Sequence, residues 1–222
     1  MKLRLLDLCC GAGGCSVGYH RAGFKVVGVD INPQPYYPFE FHQADALEYC
    51  AEHWQEFDAI HASPPCQAYS VMKSLSNGNH PMLVEATRAA LIATGLPYMI
   101  ENVPGAPLIN PLLLCGTMFG IGVIRHRLFE CNPPIWFPPT QCNHVGRATG
   151  HINRNKGITR TPSLSDGCAY VTVAGNNFLA EEGRVAMRID WMPKKALAQA
   201  IPPAYTQWIG KHLLEYLGAD DE

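Results

Sequence analysis

The sequence predicts an α/β fold built on a doubly wound, mostly parallel sheet with helices on both faces. Apolar runs of strand length alternate with helical patterns along the first 130 residues, and a glycine-rich turn directly follows the first run. A chain of 222 residues is long enough for one such domain and a small appendage.

Each predicted element follows from the local pattern. The predicted strands are four apolar or β-rich runs, at residues 3–8, 24–29, 57–62 and 97–101. The predicted helices lie at residues 15–22 and 81–94, with two more in 193–217 after Pro193 and after Pro202-Pro203. Residues 108–124 are predicted as strand, turn and strand.

Regular patterning fades after about residue 130, where Pro, Gly, Asn, Thr and Arg become frequent. We therefore predict a main domain formed by residues 1–130 and 185–222. A short irregular region at 131–184 is inserted between its two parts.

The composition narrows the class of protein. Hydrophobic residues make up 47% of the chain and charged residues 16%, which excludes a disordered chain. The formal net charge of −2 means that any surface for nucleic acid must be local. We find no secretory leader and no apolar stretch typical of a membrane span, and the nine cysteines form no paired CxxC pattern. We expect a cytoplasmic protein with reduced thiols.

The glycine-rich turn predicts a nucleotide-type pocket. Gly11, Gly13 and Gly14 let a ligand approach the backbone closely, and Asp30 stands where an acid at the end of the second strand can bind ribose hydroxyls. Asp45 is placed to bind an adenine amino group. Asp7, just before the turn, suits the positive end of a methionine-type ligand. Structural glycines in a tight turn are the alternative interpretation.

A second group of residues predicts a nucleophile. Cys66 follows a strand end and two prolines that stiffen its loop, and a thiolate is a strong nucleophile when it is exposed. Glu101 ends the next strand, where its carboxyl can engage a ring nitrogen. Arg125 and Arg127 are two residues apart, so on a strand they would face the same side and bind a base oxygen and a phosphate. Five other cysteines are expected to be ordinary small buried side chains, namely Cys9, Cys10, Cys15, Cys50 and Cys115.

These residues together resemble the DNA cytosine-5 methyltransferase family. Asp7-Leu8-Cys9-Cys10-Gly11-Ala12-Gly13-Gly14 is similar to its cofactor motif, Pro65-Cys66-Gln67-Ala68-Tyr69-Ser70 to its catalytic motif, and Glu101-Asn102-Val103 to its Glu-Asn-Val motif. Arg125-x-Arg127 resembles the arginine motif and Ile201-Pro202-Pro203 the closing motif. Cys9, Val123 and Gln199 depart from the family pattern, and residues 131–184 are short for a target-recognition region.

The resemblance implies a Rossmann-like S-adenosylmethionine methyltransferase fold, and a compact enzyme of bacterial restriction-modification or phage origin. Cys66 would add to C6 of a flipped cytosine, Glu101 would stabilise the protonated N3, Arg127 would hold the base oxygen, and Asn102 would brace the Cys66 loop, with Arg125 supporting the loop or a phosphate. The implied cofactor contacts are Asp7, Cys9, Gly11, Gly13, Gly14, Asp30, Ile31, Asp45, Ala46 and Pro64.

DNA is the implied partner, and the protein is expected to act as a monomer. The expected substrate contacts are Gln67, Ser70, Arg147, Arg154 and Lys156, the last three in a basic stretch at 125–160 whose single acid is Glu130. The same region holds Cys131, Cys142, His144, His151 and Cys168, which could in principle bind zinc. Their spacings match no standard zinc template, so our prediction is scattered loop residues and no metal site.

Three alternatives stay open at this point. The acceptor could be a cytosine in tRNA or in a free nucleotide, or the donor could carry a group other than a plain methyl. The chain could also be an inactive methyltransferase-like module that only binds DNA, which the altered cofactor positions would favour and the intact Cys66, Glu101 and Asn102 disfavour.

Overall fold

A computed structural model describes residues 2–66, 83–149, 163–176 and 178–219. Its strands are β1 (Arg4–Leu8), β2 (Lys25–Asp30), β3 (Glu40–Gln43), β4 (Ala59–Ala62), β5 (Tyr98–Asn102), β6 (Leu112–Leu114) and β7 (Arg127–Asn132). Its α-helices are α1 (Gly14–Ala22), α2 (Ala46–His53), α3 (Val84–Thr94), α4 (Ala180–Met187), α5 (Lys194–Leu197) and α6 (Pro203–Tyr216). No helix within the described ranges has the length and apolar character that crossing a membrane requires.

The seven strands form one sheet in the order β3-β2-β1-β4-β5-β7-β6. The first five are parallel, and β7 runs antiparallel to both β5 and β6. The order reverses at β1, where the chain leaves for β2 on one side and β4 lies on the other. In open α/β sheets, ligands bind at such a point, beyond the carboxyl ends of the strands. The predicted doubly wound, mostly parallel sheet is confirmed.

Helices cover the sheet on both faces. On one face, α1 packs against α6, and their buried side chains include Tyr19, Tyr205 and Ile209. On the other face, α2 packs against α3 over Leu6 and Ile60 of the sheet. Parallel strands that are buried on both faces read as nearly continuous apolar runs, which is why the strands were predictable.

Two predicted boundaries differ from the structure. The stretch 108–124 contains one short strand, β6, followed by a 3₁₀ turn at Gly116–Phe119. Its second expected strand is reduced to a single bridge between Val123 and Val171. Glycines at 116, 120 and 122 favour turns over a continuous strand. Helix α4 begins inside the region predicted to be irregular, and the domain division itself stays a prediction.

Candidate active site

The loop that carries Cys66 is held at both its start and its middle. The backbone N–H of Ser63 donates to the carbonyl of Leu8 at 3.0 Å, continuing the β1–β4 pairing one residue beyond β4. Nδ2 of Asn102 then donates to the carbonyl of Pro64 at 3.0 Å, and both partners are buried. The half-buried Cys66 therefore emerges two residues after a pinned carbonyl, at the carboxyl edge of the sheet.

Glu101 and Arg127 form an ion pair beside this loop. Nε of Arg127 lies 3.0 Å from Oε1 of Glu101, and both side chains are largely shielded from water. Burial raises the pKa of Glu101, while the charge of Arg127, a hydrogen bond from Ser63 and the charge of Arg125 act in the opposite direction. The result is a carboxyl group that holds a proton more readily than an exposed glutamate, next to a fixed cation.

Arg125 has a different environment from Arg127. Strand β7 begins at Arg127, so the prediction that the two arginines share one face of a strand was wrong. Arg125 is 6% exposed, and its guanidinium donates to the carbonyls of Val173 and Ala198. Burial lowers the pKa of Arg125 to about 9, and the charge of Arg127 adds to this effect. Arg125 thus ties the segment before β7 to the carboxyl-terminal part of the chain, which favours the predicted supporting role over the predicted phosphate contact.

Behind Glu101 lies a buried chain of hydrogen bonds that sequence reasoning missed. The hydroxyl of Tyr19 lies 2.9 Å from Nδ1 of His61, and Nε2 of His61 lies 3.0 Å from Oγ of Ser63. Ser63 in turn hydrogen bonds to Glu101. Burial lowers the pKa of His61 to about 3, so the ring is neutral at physiological pH. The only signal in the sequence was a lone histidine within an apolar strand.

The glycine turn and Asp30 are joined directly. The N–H of Gly11 donates to Oδ2 of Asp30 at 3.1 Å, and the N–H of Asn32 donates to Oδ1 at 2.9 Å. Gly11 has a φ of +51° and open space where a Cβ would stand. Ile31, the next residue after Asp30, is 65% exposed. Cys9 also has a positive φ of 56° and is only partly buried.

Asp7 lies deeper than expected. Its side chain is fully buried, Oδ2 accepts a hydrogen bond from Ser16, and Oδ1 has no partner among the described residues. Burial raises the pKa of Asp7 to about 7. The hydroxyl of Tyr37 donates to Ser16 at 2.9 Å and covers this pair. The predicted contact between Asp7 and a ligand therefore requires Ser16 or Tyr37 to move aside.

Asp45 has a structural role in the fold. It is the N-cap of α2, and its Oδ1 accepts hydrogen bonds from the N–H groups of Leu47 and Glu48 at 2.8 and 3.1 Å. Capping of this kind stabilises a helix by about 1 kcal/mol. Asp45 is exposed and follows β3, in which Gln43 pairs with Asp30, so the two acids stand at the same edge of the sheet.

The carboxyl-terminal part of the chain closes over the glycine turn. A side chain at Gly14 would overlap the backbone of Ile201, so the two backbones touch. Nε1 of Trp191 donates to the carbonyl of Ala12 at 3.0 Å. The hydroxyl of Tyr205 donates to the carbonyl of Arg125 at 2.6 Å. This segment braces both the glycine turn and the arginine segment.

The predicted substrate contacts are only partly visible. Gln67, Ser70, Arg154 and Lys156 lie outside the described residues, and Arg147 is exposed. The basic stretch contributes less surface charge than its composition indicates, because Arg125 is buried and Arg127 is paired. Its one acid is buried as well: Glu130 forms a two-point ion pair with Arg88, with both N–O distances at 2.8 Å.

The potential metal ligands of the 131–184 region separate in the structure. Cys131 lies in β7 and Cys168 is buried elsewhere, while His151 lies outside the described residues. Cys142 and His144 lie together, and their neighbours are Cys115 and His126. Cys115 is therefore not the isolated buried thiol that was predicted.

Comparison with known proteins agrees with the motifs. Residues 3–107 match the C-5 cytosine-specific DNA methylase family. The Type II methyltransferase M.FnuDI of Fusobacterium nucleatum is 32% identical over 113 residues, which cover 46% of this chain and 33% of that protein. M.AquIA, a Type II methyltransferase of Picosynechococcus, is 27% identical over 124 residues, which cover 47% of this chain and 50% of that protein. The chain thus spans between a third and a half of the length of these relatives.

Solved structures of other proteins are similar to this chain over nearly its whole length. A prophage-encoded protein of E. coli, described as a DNA modification methyltransferase, has a TM-score of 0.66 at 14% identity and covers 98% of this chain and 100% of that one. The Dnmt2 methyltransferase of S. pombe has a TM-score of 0.61 at 14% identity, with 98% and 99% covered. Identity this low establishes the fold alone. The resemblance predicted from the motifs is confirmed over residues 3–107, which match the C-5 cytosine-specific DNA methylase family.

Proposed function

We propose that this chain transfers a methyl group from S-adenosylmethionine to C5 of cytosine in DNA, through a covalent bond between Cys66 and C6 of the base. The observation that carries the proposal is the position of Cys66. Its loop is pinned by Asn102, and it lies at the same sheet edge as the Glu101–Arg127 pair. A nucleophile, a proton-holding carboxyl and a fixed cation are the groups that this reaction needs.

The residues at the glycine turn fit the cofactor. Open space at Gly11, the exposed Ile31 and the partly buried carboxylate of Asp30 form one side of a site for an adenosine. Beneath the turn, the unpartnered Oδ1 of Asp7 is a buried acceptor that an ammonium group would satisfy once Tyr37 moves. When bound, S-adenosylmethionine supplies an electrophilic methyl group. Asp45, Ala46, Cys9, Gly13, Gly14 and Pro64 complete the proposed contacts.

The chain's own residues would activate the cytosine for methylation. The thiol of Cys66 gives up its proton to solvent, and its Sγ forms a bond to C6. The π bond between C5 and C6 breaks, and its electron pair becomes available at C5. Glu101 holds a proton at N3 of the ring, which neutralises the negative charge that addition would otherwise build up there. Arg127, which is held by its ion pair with Glu101, would donate to the base oxygen. After C5 has been methylated, loss of the C5 proton to a base restores the double bond and breaks the bond between Sγ and C6.

The target base has to leave its helix for this reaction. C6 of a stacked cytosine is inaccessible to a side chain, and Cys66 is only partly exposed at the sheet edge. The irregular region around the exposed Arg147 is the proposed DNA contact, together with Gln67, Ser70, Arg154 and Lys156.

The test uses methyl-labelled S-adenosylmethionine and unmethylated duplex DNA, followed by digestion to nucleosides and mass identification. Cys66→Ala is the inactive variant, and Cys131→Ser, a half-buried cysteine in β7, is the matched control. We expect labelled 5-methylcytosine from the wild type and from Cys131→Ser, and none from Cys66→Ala. Duplex DNA with 5-fluorocytosine should trap the wild type covalently. Release of Cys66 requires loss of a proton from C5, and fluorine takes the place of that proton.

Three results would contradict the proposal. Label found in tRNA and absent from DNA would change the substrate while keeping the chemistry. Cofactor binding without any label in a nucleic acid would favour a module that only binds DNA. Equal labelling by Cys66→Ala would exclude the covalent route.

A further inference from the structure

Four side chains with metal-binding atoms meet beside Arg125 and Arg127. They are Cys115, which follows β6, His126, which precedes β7, and Cys142 and His144 in the loop after β7. Their ligand atoms all lie within 4.8 Å of one another. The residues are spread over 30 positions and three stretches of chain, so no sequence template for a metal site detects them.

The distances within the cluster match a tetrahedral zinc site. Nε2 of His144 lies 3.3 Å from Sγ of Cys115 and 3.0 Å from Sγ of Cys142, and Nε2 of His126 lies 3.4 Å from Sγ of Cys142. With Zn–S bonds of about 2.3 Å and Zn–N bonds of about 2.0 Å, tetrahedral geometry puts sulfur and nitrogen ligands about 3.5 Å apart. Three of the six distances among the four atoms are thus close to the spacing of ligands around one ion, and all six are at most 4.8 Å.

Hydrogen bonds alone explain this arrangement poorly. A neutral imidazole has one acceptor nitrogen, which can accept one hydrogen bond, yet Nε2 of His144 faces the sulfur atoms of both Cys115 and Cys142. Cys142 also faces Nε2 of His126 with only one S–H to donate. A cation placed between the four groups would accept a lone pair from each of them. Two thiolates and two imidazoles form the closed ligand set typical of structural zinc, and they do not suit Ca²⁺ or Mg²⁺.

We propose that Cys115, His126, Cys142 and His144 bind one structural Zn²⁺ ion. The ion would fasten the loop after β7 to the segments that flank the proposed active site. This proposal replaces the prediction that the chain has no metal site.

The cluster is coupled to the proposed catalytic arginine through the backbone. His126 is the residue between Arg125 and Arg127, and Nη1 of Arg127 donates to the carbonyl of His126 at 2.8 Å. A metal bond at the ring of His126 would therefore hold the peptide that carries Arg127. On the other side, Oγ1 of Thr117 lies 3.7 Å from Sγ of Cys142 and accepts from the N–H of Asn143 at 3.3 Å, an arrangement suited to supporting a thiolate ligand.

The test measures metal in tag-free protein that is purified under reducing conditions without chelator. We expect about one zinc per chain in the wild type. Replacement by Co²⁺ should give the visible absorption bands of a tetrahedral site together with thiolate charge-transfer bands in the near ultraviolet. Cys142→Ser and His144→Ala change exposed residues, so both variants should remain folded. Each should lose metal affinity by on the order of 100-fold, if the binding free energy of a structural site is shared among four ligands.

Cys131→Ser, with a cysteine of the same region outside the cluster, is the matched control and should keep its zinc and its cobalt spectrum. Three results would overturn the proposal: wild type without zinc that also fails to bind added Zn²⁺, unchanged affinity in Cys142→Ser, or a Cys115–Cys142 disulfide in the reduced preparation. A separate readout is amide hydrogen exchange, in which chelation of the zinc should lower the protection of the backbone around residues 126 and 142–144.

Discussion

Nδ2 of Asn102 donates a hydrogen bond to the carbonyl of Pro64, so the end of β5 holds the loop that carries Cys66. The 3.0 Å contact joins two buried residues that are 38 positions apart in the chain. It lets a residue with no proposed contact to the reacting atoms control where the nucleophile stands.

Asn102→Ala should slow the attack of Cys66. Misplacing a reacting group by about 1 Å can cost on the order of 100-fold in rate. The rate of covalent trapping on 5-fluorocytosine DNA measures this step directly. A normal trapping rate in the folded variant would show that the hydrogen bond is structural only. Unfolding in urea should show a loss of about 1–3 kcal/mol, because a buried carbonyl loses its partner.

Arg127→Met should shift the pH dependence of the reaction upward. The charge of Arg127 lowers the pKa of Glu101, which burial raises, so its removal lets that pKa rise further. If the protonated carboxyl is the active form, the rate falls as the pH rises through this pKa, and the fall should move to higher pH in the variant. Single-turnover rates measured over a range of pH values show this shift. Glu101→Gln is the control, in which the decrease of the rate with rising pH should be absent. An unshifted profile in Arg127→Met would show that another group titrates.

Asp7→Asn should remove a pH dependence of stability in the cofactor-free protein. The pKa of Asp7 is about 7 in the fold and 3.8 as the ordinary value. The folded chain therefore binds more protons between these pH values, and its stability falls as the pH rises through this range. The loss amounts to about 4 kcal/mol at higher pH. Urea unfolding of both proteins at pH 5 and pH 8 should show the smaller change in Asp7→Asn. Equal changes would contradict the prediction.

Gly18→Ala should destabilise the contact between α1 and α6. A Cβ at Gly18 would overlap Oγ1 of Thr206 and the carbonyl of Pro203, and backbone atoms of a packed helix cannot give way easily. Overpacking of this kind costs about 1–3 kcal/mol or more. Gly122→Ala is the control, since a Cβ there meets nothing within 4 Å. Thermal unfolding should show a lower melting temperature for Gly18→Ala alone.

Local patterns were sufficient to predict the doubly wound sheet and its central parallel strands, and they led to the proposed location of the chemistry. The parallel strands are buried on both faces, so their apolar runs are visible in one dimension, and the residues after each run must meet at one edge. The glycine turn, Asp30, Cys66 and Glu101 could therefore be assigned to one site from local patterns alone. The stretch 108–124 was predicted less well, because glycines in an apolar run are compatible with either a strand or a turn.

Relationships between residues far apart in the chain became visible only in the folded molecule. Arg125 and Arg127 look equivalent in the sequence. In the structure Arg125 is buried and donates to the carbonyls of Val173 and Ala198, while Arg127 forms an ion pair with Glu101. The grouping of Cys115 and His126 with Cys142 and His144 depends on how β6, β7 and the loop after them fold together. The amino-acid order was enough to identify the groups that end the strands, because strand burial leaves a local pattern. Which side chains are paired or buried was settled by folding, because those contacts join residues that are distant in sequence.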